Sequence, residues 1–403
     1  MPNPFVQLLA VPGGPRFASA GFVARLPISM EGLAIVLLVS ATSGQYARAG
    51  LVAATYALAA AALQPQLSRV VDQRGQHKVV PVQVVVSAVG TLTLVALAVA
   101  KEPLWTLLVA AVLGGGFQPS IGPMVRARWA YLITDDGLLR AAFSLESVID
   151  EIVFVVGPPL AVFLAATSGP PAAVRATVAI MVVGTALLLV QRRSEPPPRP
   201  SSVHDGASAI RRPVVQFVVI MMIMMGGLFG AQEIATVGFA GQRGHGVWAG
   251  ILLALAAVGS AVSGLVYGSL PTAVPLRRQL VFFGLLAPLS VALLPLTSNV
   301  WALGVLMFVS GTVVSPMLIC AFALVEASIP AGRLTEGLTW TVTGITLGYS
   351  LGAAVTGPAV DHLGTPKAYL VSVCFGLLTA LTVVLGRRWM NPVPVPAAGP
   401  LVD

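Results

Sequence analysis

Three carboxylates lie close together in one apolar segment, RAAFSLESVIDEIVFVVGPP (140–159). At 100° per residue, Glu146, Asp150 and Glu151 fall within a helical stripe roughly 140° wide. Carboxyls are costly in hydrocarbon, so they must face protein or water. Two interpretations stay open, because the stripe could pair with a nearby cation as part of the scaffold, or could line a polar path through a membrane.

Two further acids lie in apolar segments, and they extend the set that could carry a proton. Glu31 and Glu233 are each near the middle of their segment. A carboxyl in apolar surroundings binds a proton more readily than one in water. The proton-coupling candidates are therefore Asp150, Glu151, Glu31 and Glu233. Depth along the helix favours Asp150 or Glu151, with Arg25 or Arg140 as a partner, over Glu146, which we expect near the solvated end.

A second group of polar residues is expected to line a substrate cavity. Arg25 either reaches the membrane surface with its long side chain or acts as a buried cation for the carboxyls or for an anionic substrate. Four hydroxyls spaced by 4, 3 and 4 residues share one helical face, although each could instead bond its own helix backbone. The predicted cavity residues are Arg25, Gln118, Glu146, Thr339, Thr343, Thr346 and Ser350.

Composition places these residues in a membrane. The 403 residues are 56% hydrophobic and only 9% charged, whereas soluble domains carry about 25% charged residues. Twelve apolar runs are long enough to span a bilayer and show no strand-like alternation, so we predict an all-α membrane protein with 12 transmembrane helices. The predicted spans are 18–40, 46–67, 79–100, 104–127, 141–166, 172–191, 213–240, 247–269, 279–297, 300–325, 337–360 and 367–386.

Loop charges predict the orientation. With a cytoplasmic N-terminus, seventeen Lys and Arg fall on the cytoplasmic side and three on the outer side, and the seventeen include Arg126, Arg128 and Arg333. Cytoplasmic loops carry an excess of Lys and Arg. We therefore expect a multi-pass protein of the plasma (inner) membrane with both termini in the cytoplasm.

A polar run near the middle divides the chain. Residues 192–212 are rich in Pro, Ser and Arg, which is typical of a flexible linker. The predicted domains are a six-helix bundle at 1–191, the cytoplasmic linker, a second six-helix bundle at 213–390 and a disordered tail at 391–403. Sliding the chain by 193 residues places Pro123 over Pro316, Met124 over Met317 and Arg140 over Arg333. The two bundles are therefore predicted to be repeats.

The loop QPQLSRVVDQRGQHKVV (64–80) resembles the signature between helices two and three of the major facilitator superfamily, G-x-x-x-D-R-x-G-R-R/K. Asp72 and Gly75 match, whereas Ser68, Gln73 and Gln76 depart from it. The resemblance implies two six-helix halves that rock about a central site. It also implies a conformational latch formed by Asp72, Gly75 and Arg74, for which a simple surface salt bridge is the alternative.

One motif favours efflux and one missing residue argues against it. Gly157-Pro158-Pro159 in span five resembles the Gly-Pro motif of the family's drug–proton antiporters, and the prolines are expected to kink the helix. Those antiporters also carry a buried Arg in span four, and the corresponding LLVAAVLGGGFQ (107–118) has none. The usual proton relay is therefore in doubt.

These features favour a secondary active transporter that exports a small organic solute in exchange for protons. Proton-coupled uptake of a polar nutrient is the first alternative, and a membrane scaffold or receptor that transports nothing is the second. The sequence contains no nucleotide-binding loop, catalytic triad or metal cluster, so we expect neither an enzyme nor a cofactor. Gly114, Gly115 and Gly116 are interpreted as helix-packing residues. Expected partners are the solute, protons and lipid, with no nucleic acid, and the protein is expected to be a monomer.

Overall fold

The computed structural model describes residues 4–198, 208–242, 247–270, 274–297 and 299–390, and across these residues the regular structure is helical. The chain divides into unit 1, Met1–Ser201, and unit 2, Ser202–Asp403. The boundary falls within the predicted linker. The predicted disordered tail, 391–403, lies outside the described residues.

Unit 1 places its functional side chains on a broken fourth span and the helices around it. Its helices are α1 (Pro4–Ala10), α2 (Gly14–Ser43), α3 (Tyr46–Arg74), α4 (Gln76–Val99), α5 (Leu104–Gly116), α6 (Ile121–Leu132), α7 (Asp136–Ser168) and α8 (Pro170–Leu189). The predicted fourth span is two helices, α5 and α6, because residues 117–120 leave the helical conformation. Helix α7 continues through Pro158 and Pro159 to Ser168.

Unit 2 is also helical. Its described helices are α9 (Pro213–Gln242), α10 (Val247–Ser269), α11 (Leu276–Val291), α12 (Val300–Gly311), α13 (Val314–Ser328), α14 (Leu334–Leu363) and α15 (Thr365–Leu385). Its predicted tenth span is also broken, at Thr312 and Val313 between α12 and α13.

Within the described residues, ten helical segments are long and apolar enough to cross a membrane, so the chain is a multi-pass membrane protein. Helices α3 and α14 lie at predicted spans two and eleven and have 29 and 30 residues, but they are not among the ten. The count of twelve spans therefore stays a prediction.

The glycine runs pack helices, as predicted. A Cβ on Gly115 would lie 2.1 Å from the Tyr56 carbonyl oxygen, so only glycine allows α5 to approach α3 this closely. In unit 2, a Cβ on Gly348 would lie 1.9 Å from the Ile223 oxygen of α9, and one on Gly352 would lie 2.0 Å from the Gly227 oxygen. Backbone therefore contacts backbone along both pairs of helices.

The described ends of the predicted linker are held by their own units, which a fully flexible linker would not be. Arg128 donates from Nη1 to the Gln191 carbonyl at 3.0 Å and to Ser194 Oγ at 2.8 Å. In unit 2, the backbone N–H of Ala209 donates to Glu336 at 2.9 Å. The stretch 199–207 lies outside the described residues, and the flexible linker over 192–212 stays a prediction.

Three of the arginines assigned to loops are buried. Arg126 and Arg128 lie inside α6 with 1% and 0% exposure, and Arg333 pairs with Glu336 at 3.2 Å. These three cations belong to the protein interior and should not be counted in the loop-charge argument. The remaining loop cations still favour the predicted cytoplasmic side.

Candidate functional site

Two arginines and two carboxylates meet in unit 1 between α2, α6 and α7. Arg25 Nη1 donates to Asp150 Oδ1 at 2.7 Å, and its Nη2 donates to Glu146. Arg126 Nη2 donates to the other oxygen of Asp150, Oδ2, at 2.7 Å. Trp129 Nε1 donates to Glu146 Oε1 at 2.8 Å. Of the alternatives left open, Asp150 or Glu151 with Arg25 or Arg140, the structure shows Asp150 paired with Arg25, and a second cation, Arg126, shares the same carboxylate.

The spacing along each helix explains the cluster. Glu146 and Asp150 are four residues apart, so they lie on the same side of α7, one turn from each other. Arg126 and Trp129 are three apart on α6 and reach the two carboxylates side by side. The Arg25 guanidinium bonds both carboxylates, and its Nε also donates to the Gly21 carbonyl of its own helix at 3.2 Å. One guanidinium therefore joins both acids of the stripe.

Burial reverses the expected roles of the two acids. Glu146, predicted near the solvated end of the helix, has a fully buried side chain at 0% exposure. Asp150, predicted to be the deep residue, keeps 33% of its side chain exposed. Distance along the helix did not predict this, because exposure depends on which neighbouring helix covers each turn. Glu151 is half-buried and also makes contacts within the protein.

Residues 107–118 contain no arginine, as expected, but buried arginines lie further along the same segment. The segment runs to Leu132, and its second helix, α6, carries both Arg126 and Arg128 in the interior. The sequence signal was available, since Arg126 lies inside the predicted span 104–127.

A second, separate acidic site lies deeper along α2. Glu31 is 2% exposed, and its Oε2 accepts from Tyr56 Oη at 2.9 Å and from Gln118 Nε2 at 2.5 Å. Its other oxygen, Oε1, is buried and has no hydrogen-bond partner. Within the described part of the chain, no ion pair reaches Glu31. This carboxyl is therefore surrounded by neutral groups.

The break between α5 and α6 delivers Gln118 to this site. Gln118 is buried in the non-helical stretch and its backbone N–H donates to the Gly115 carbonyl at 3.1 Å. Thr91 of α4 extends the cluster, because its Oγ1 lies 3.4 Å from Tyr56 Oη. Of these residues the sequence analysis identified only Glu31 and Gln118. Tyr56 was missed, because a tyrosine in an alanine-rich helix looks like a packing residue.

Unit 2 has a weaker counterpart. Glu233 of α9 is half-buried and hydrogen-bonds Tyr349 of α14. Its neighbour Gln232 is buried and donates to Ser310 Oγ of α12 at 2.7 Å. Unit 2 therefore places an amide in its interior close to where unit 1 places the Glu31 carboxyl.

The hydroxyl face of α14 follows the backbone-bonding alternative. Thr339 donates to the Thr335 carbonyl at 2.7 Å, Thr346 to that of Val342 at 3.1 Å, and Ser350 to that of Thr346 at 3.1 Å. Thr343 is buried, whereas Thr346 and Ser350 are exposed. The face is therefore not a uniform lining, and its role in substrate binding stays a prediction.

The predicted latch loop is a tight turn between α3 and α4. Gly75 has φ +91°, a conformation that side chains disfavour, and its N–H donates to the Val71 carbonyl at 2.8 Å. Asp72 is half-buried and Arg74 is exposed. Glu195, which follows α8, accepts from the backbone N–H of His77 at 3.1 Å and lies 2.9 Å from its Nδ1. The loop is thus tied to the start of the linker.

Gly157 of the Gly-Pro motif lies against α2. A Cβ there would be 1.8 Å from Ser29 Oγ, and that hydroxyl donates to the Val153 carbonyl at 2.8 Å. The glycine therefore allows α2 and α7 to pack closely about two turns along α7 from Asp150. Among the described residues, no group of three or more His, Cys, Asp or Glu could hold a metal ion.

Comparison with known proteins identifies the fold. Solved structures with a similar fold include a bacterial homologue of the iron transporter ferroportin in an outward-facing state, with a TM-score of 0.75, 13% identity, and coverage of 93% of this chain and 98% of that one. The fucose:proton symporter FucP of E. coli matches with a TM-score of 0.69 and 12% identity over 92% and 97% of the two chains. The human organic anion transporter TETRAN matches with a TM-score of 0.66 and 14% identity over 91% and 99%.

The sequence itself gives the family. None of the curated proteins matches the chain significantly. The family model of the Major Facilitator Superfamily matches residues 17–333. This range includes the arginine–carboxylate cluster and the glutamate–tyrosine cluster of unit 1. The chain therefore belongs to the Major Facilitator Superfamily, and it is a transporter and not an enzyme.

Proposed function

We propose that this protein is a proton-coupled secondary transporter that moves a small organic solute by alternating access, with Glu31 as the residue that carries the proton. In this proposal twelve helices form two six-helix repeats in the plasma (inner) membrane, with both termini cytoplasmic and a monomer as the working unit. An ion gradient is the energy source, as in other secondary transporters of this architecture.

The observation that carries the proposal is the surroundings of Glu31. An ionised carboxylate buried without a cation is strongly destabilised, and a proton removes that charge. Tyr56 and Gln118 donate to Oε2 while Oε1 has no partner. Protonation of Glu31 is therefore favoured when the site is closed to water, and release of the proton is favoured when the site opens to water.

The other predicted carboxylates are weaker candidates. Asp150 has a guanidinium on each of its two oxygens, so its negative charge is already compensated. This geometry does not favour the expectation that span five carries the main proton site. Glu233 has a tyrosine partner like Glu31 but is less buried. We rank Glu233 second and Asp150 and Glu151 below it.

The direction we propose is efflux, supported by the Gly157-Pro158 core beside the cluster. Uptake is the second candidate, and the similarity to the fucose:proton symporter favours it. In either direction the loop carrying Asp72, Gly75 and Arg74 is proposed as a latch. Its attachment to Glu195 supports this role, because movement of the loop would pull on the start of the linker.

The proposal predicts that Glu31→Gln separates solute movement from the proton gradient. The full chain is purified and screened by thermal shift, since a specific ligand stabilises by mass action. The most stabilising compound is then followed in proteoliposomes. We expect Glu31→Gln to keep exchange of this compound at equal pH and to lose accumulation driven by a pH difference. The matched control, Glu102→Gln in the exposed loop after α4, should keep both. Full accumulation in Glu31→Gln would refute the proton role.

A further inference from the structure

Asp150 occupies a position that a substrate carboxylate would fit. Each of its oxygens takes one guanidinium at 2.7 Å, from Arg25 on one side and Arg126 on the other. The two arginines are nearly sealed, with 4% and 1% exposure, whereas Asp150 keeps 33% of its side chain exposed. The two guanidinium groups thus form a carboxylate-binding site. In this structure the carboxylate of Asp150 fills it, and that side chain is the partly exposed member of the group.

Comparison with Glu146 separates this site from a purely structural ion pair. Glu146 bonds the same Arg25, but it is fully buried and is held from the other side by Trp129. A pair that only stabilises the fold is best sealed, because water weakens exposed ion pairs. Glu146 is sealed in this way, whereas Asp150 is not.

The charges define what could replace Asp150. Arg25 and Arg126 carry two positive charges, and Glu146 compensates one of them. When Asp150 turns away, the two guanidiniums lose the one carboxylate that both of them bind. Guanidinium groups bind carboxylates with directed, charge-assisted hydrogen bonds. Another single carboxylate restores the negative charge that left with Asp150, whereas a cation or a neutral molecule does not.

We propose that the transported solute is an organic monoanion whose carboxylate binds Arg25 and Arg126 in place of Asp150. This inference rests on the proposed transport function and names its substrate class. Arg25 and Arg126 then bind substrate, and Asp150 closes the site when it is empty. The coupling proton stays on Glu31, a separate residue, so the solute and the proton do not compete for one carboxyl.

The first test empties the site. In Asp150→Ala, acetate supplies the missing carboxylate, so sodium acetate should raise the thermal midpoint of the purified full chain. Sodium chloride at equal ionic strength and neutral acetamide should not. We expect acetate to bind this variant at least about tenfold more tightly than the wild type, a difference of about 1.4 kcal/mol. Arg126→Gln added to Asp150→Ala should remove the effect, whereas Arg48→Gln at an exposed position of α3 should leave it unchanged.

The second test uses the unmodified protein and does not depend on whether the variants fold. Benzoate and 2-naphthoate are compared with benzyl alcohol and 2-naphthalenemethanol as stabilisers in thermal shift and as competitors of the compound found by screening. The carboxylates should act at concentrations at least about tenfold lower than the alcohols. Equal action of acid and alcohol, or acetate binding no tighter to a folded Asp150→Ala than to wild type, overturns the anion proposal. The accumulation test with Glu31→Gln needs no charge on the solute, so proton-coupled transport would stand even then.

Discussion

At the scale of single residues, two acids one turn apart on α7 have different environments. Glu146 and Asp150 share Arg25, but only Glu146 is sealed, with Trp129 donating to its second oxygen. Removing one partner of a buried ion pair leaves a charge without compensation in a low-dielectric interior, and the cost is typically about 3–5 kcal/mol. For a pair that water can reach, the cost is smaller.

This difference predicts an order of stability for two conservative variants. Glu146→Gln should lose about 3 kcal/mol or more of unfolding free energy. Asp150→Asn should lose clearly less, because a third of the Asp150 side chain is exposed whereas that of Glu146 is fully buried. Thermal unfolding of the two variants in the same detergent, followed by circular dichroism, gives the comparison. A larger midpoint loss in Asp150→Asn would mean that Asp150, not Glu146, is the structural member of the cluster, which would also weaken its assigned exchange with substrate.

At the scale of elements, the proposed repeat aligns the broken helices of the two units at two different offsets. Before the break, it places Trp105 over Trp301 and Gly115 over Gly311 at an offset of 196 residues, whereas α6 and α13 begin 193 residues apart. Gly311 approaches the Ala256 carbonyl as Gly115 approaches that of Tyr56. We infer that unit 1 carries three additional residues in its break. Gln118 lies among the non-helical residues of that longer break.

The longer break of unit 1 carries Gln118, which donates to Glu31. In unit 2, Gln232 instead donates to Ser310, and at the offset of 196 residues Ser310 aligns with Gly114 of unit 1. The helix that follows the break, α6, carries Arg126 only five residues after its start. Gln118 thus joins the proposed proton site to the element that holds one arginine of the anion site.

Replacing this donor should change the pH dependence of transport. Gln118→Leu removes a hydrogen bond that stabilises the ionised carboxyl of Glu31, so the protonated form is favoured and a higher pH is needed to release the proton. We expect the pH profile of gradient-driven accumulation to move to higher pH while equal-pH exchange persists. Gln118→Asn, which keeps the donor on a shorter side chain, should give a smaller displacement. An unchanged profile in Gln118→Leu would show that Gln118 only fills space.

At the scale of the whole molecule, charge is distributed unequally between the units. Within the described residues, unit 1 holds the arginine–carboxylate cluster of two arginines and two acids and the sealed Glu31, whereas unit 2 offers the single buried pair Arg333–Glu336, Glu233 with Tyr349 and the hydroxyl face of α14. We infer that unit 1 supplies the ionic part of the transport mechanism.

The proposed orientation depends on the loop cations alone, after the buried arginines are removed from the count.

The orientation can be measured without knowledge of the substrate. A reporter active only in the cytoplasm should be active when it is fused to either terminus. A reporter active only outside should be active when it is inserted after Glu102, in the loop between α4 and α5. Opposite signals at these sites would reverse the proposed topology, and with it the direction in which a proton gradient drives the solute.

Composition and periodicity were sufficient for the fold class. Long apolar runs in a chain with 9% charged residues require helices that satisfy their own backbone, and the described residues contain ten such segments. Local reasoning also predicted the packing role of the glycines and the tight turn at Gly75. Each depends on the size or the allowed conformations of a single residue.

Only the tertiary structure decided which polar groups meet and which are exposed. The sequence placed Glu146 near solvent and treated Arg126 as a loop cation, and both interpretations were wrong. Burial depends on the helix that packs across each turn, and no pattern within α7 reports the position of Trp129 or Arg126. The separation of Glu31 from the arginine cluster has the same origin. Tyr56 of α3 and Gln118 in the break between α5 and α6 both reach Glu31, and only three-dimensional packing brings these separate parts of the chain together.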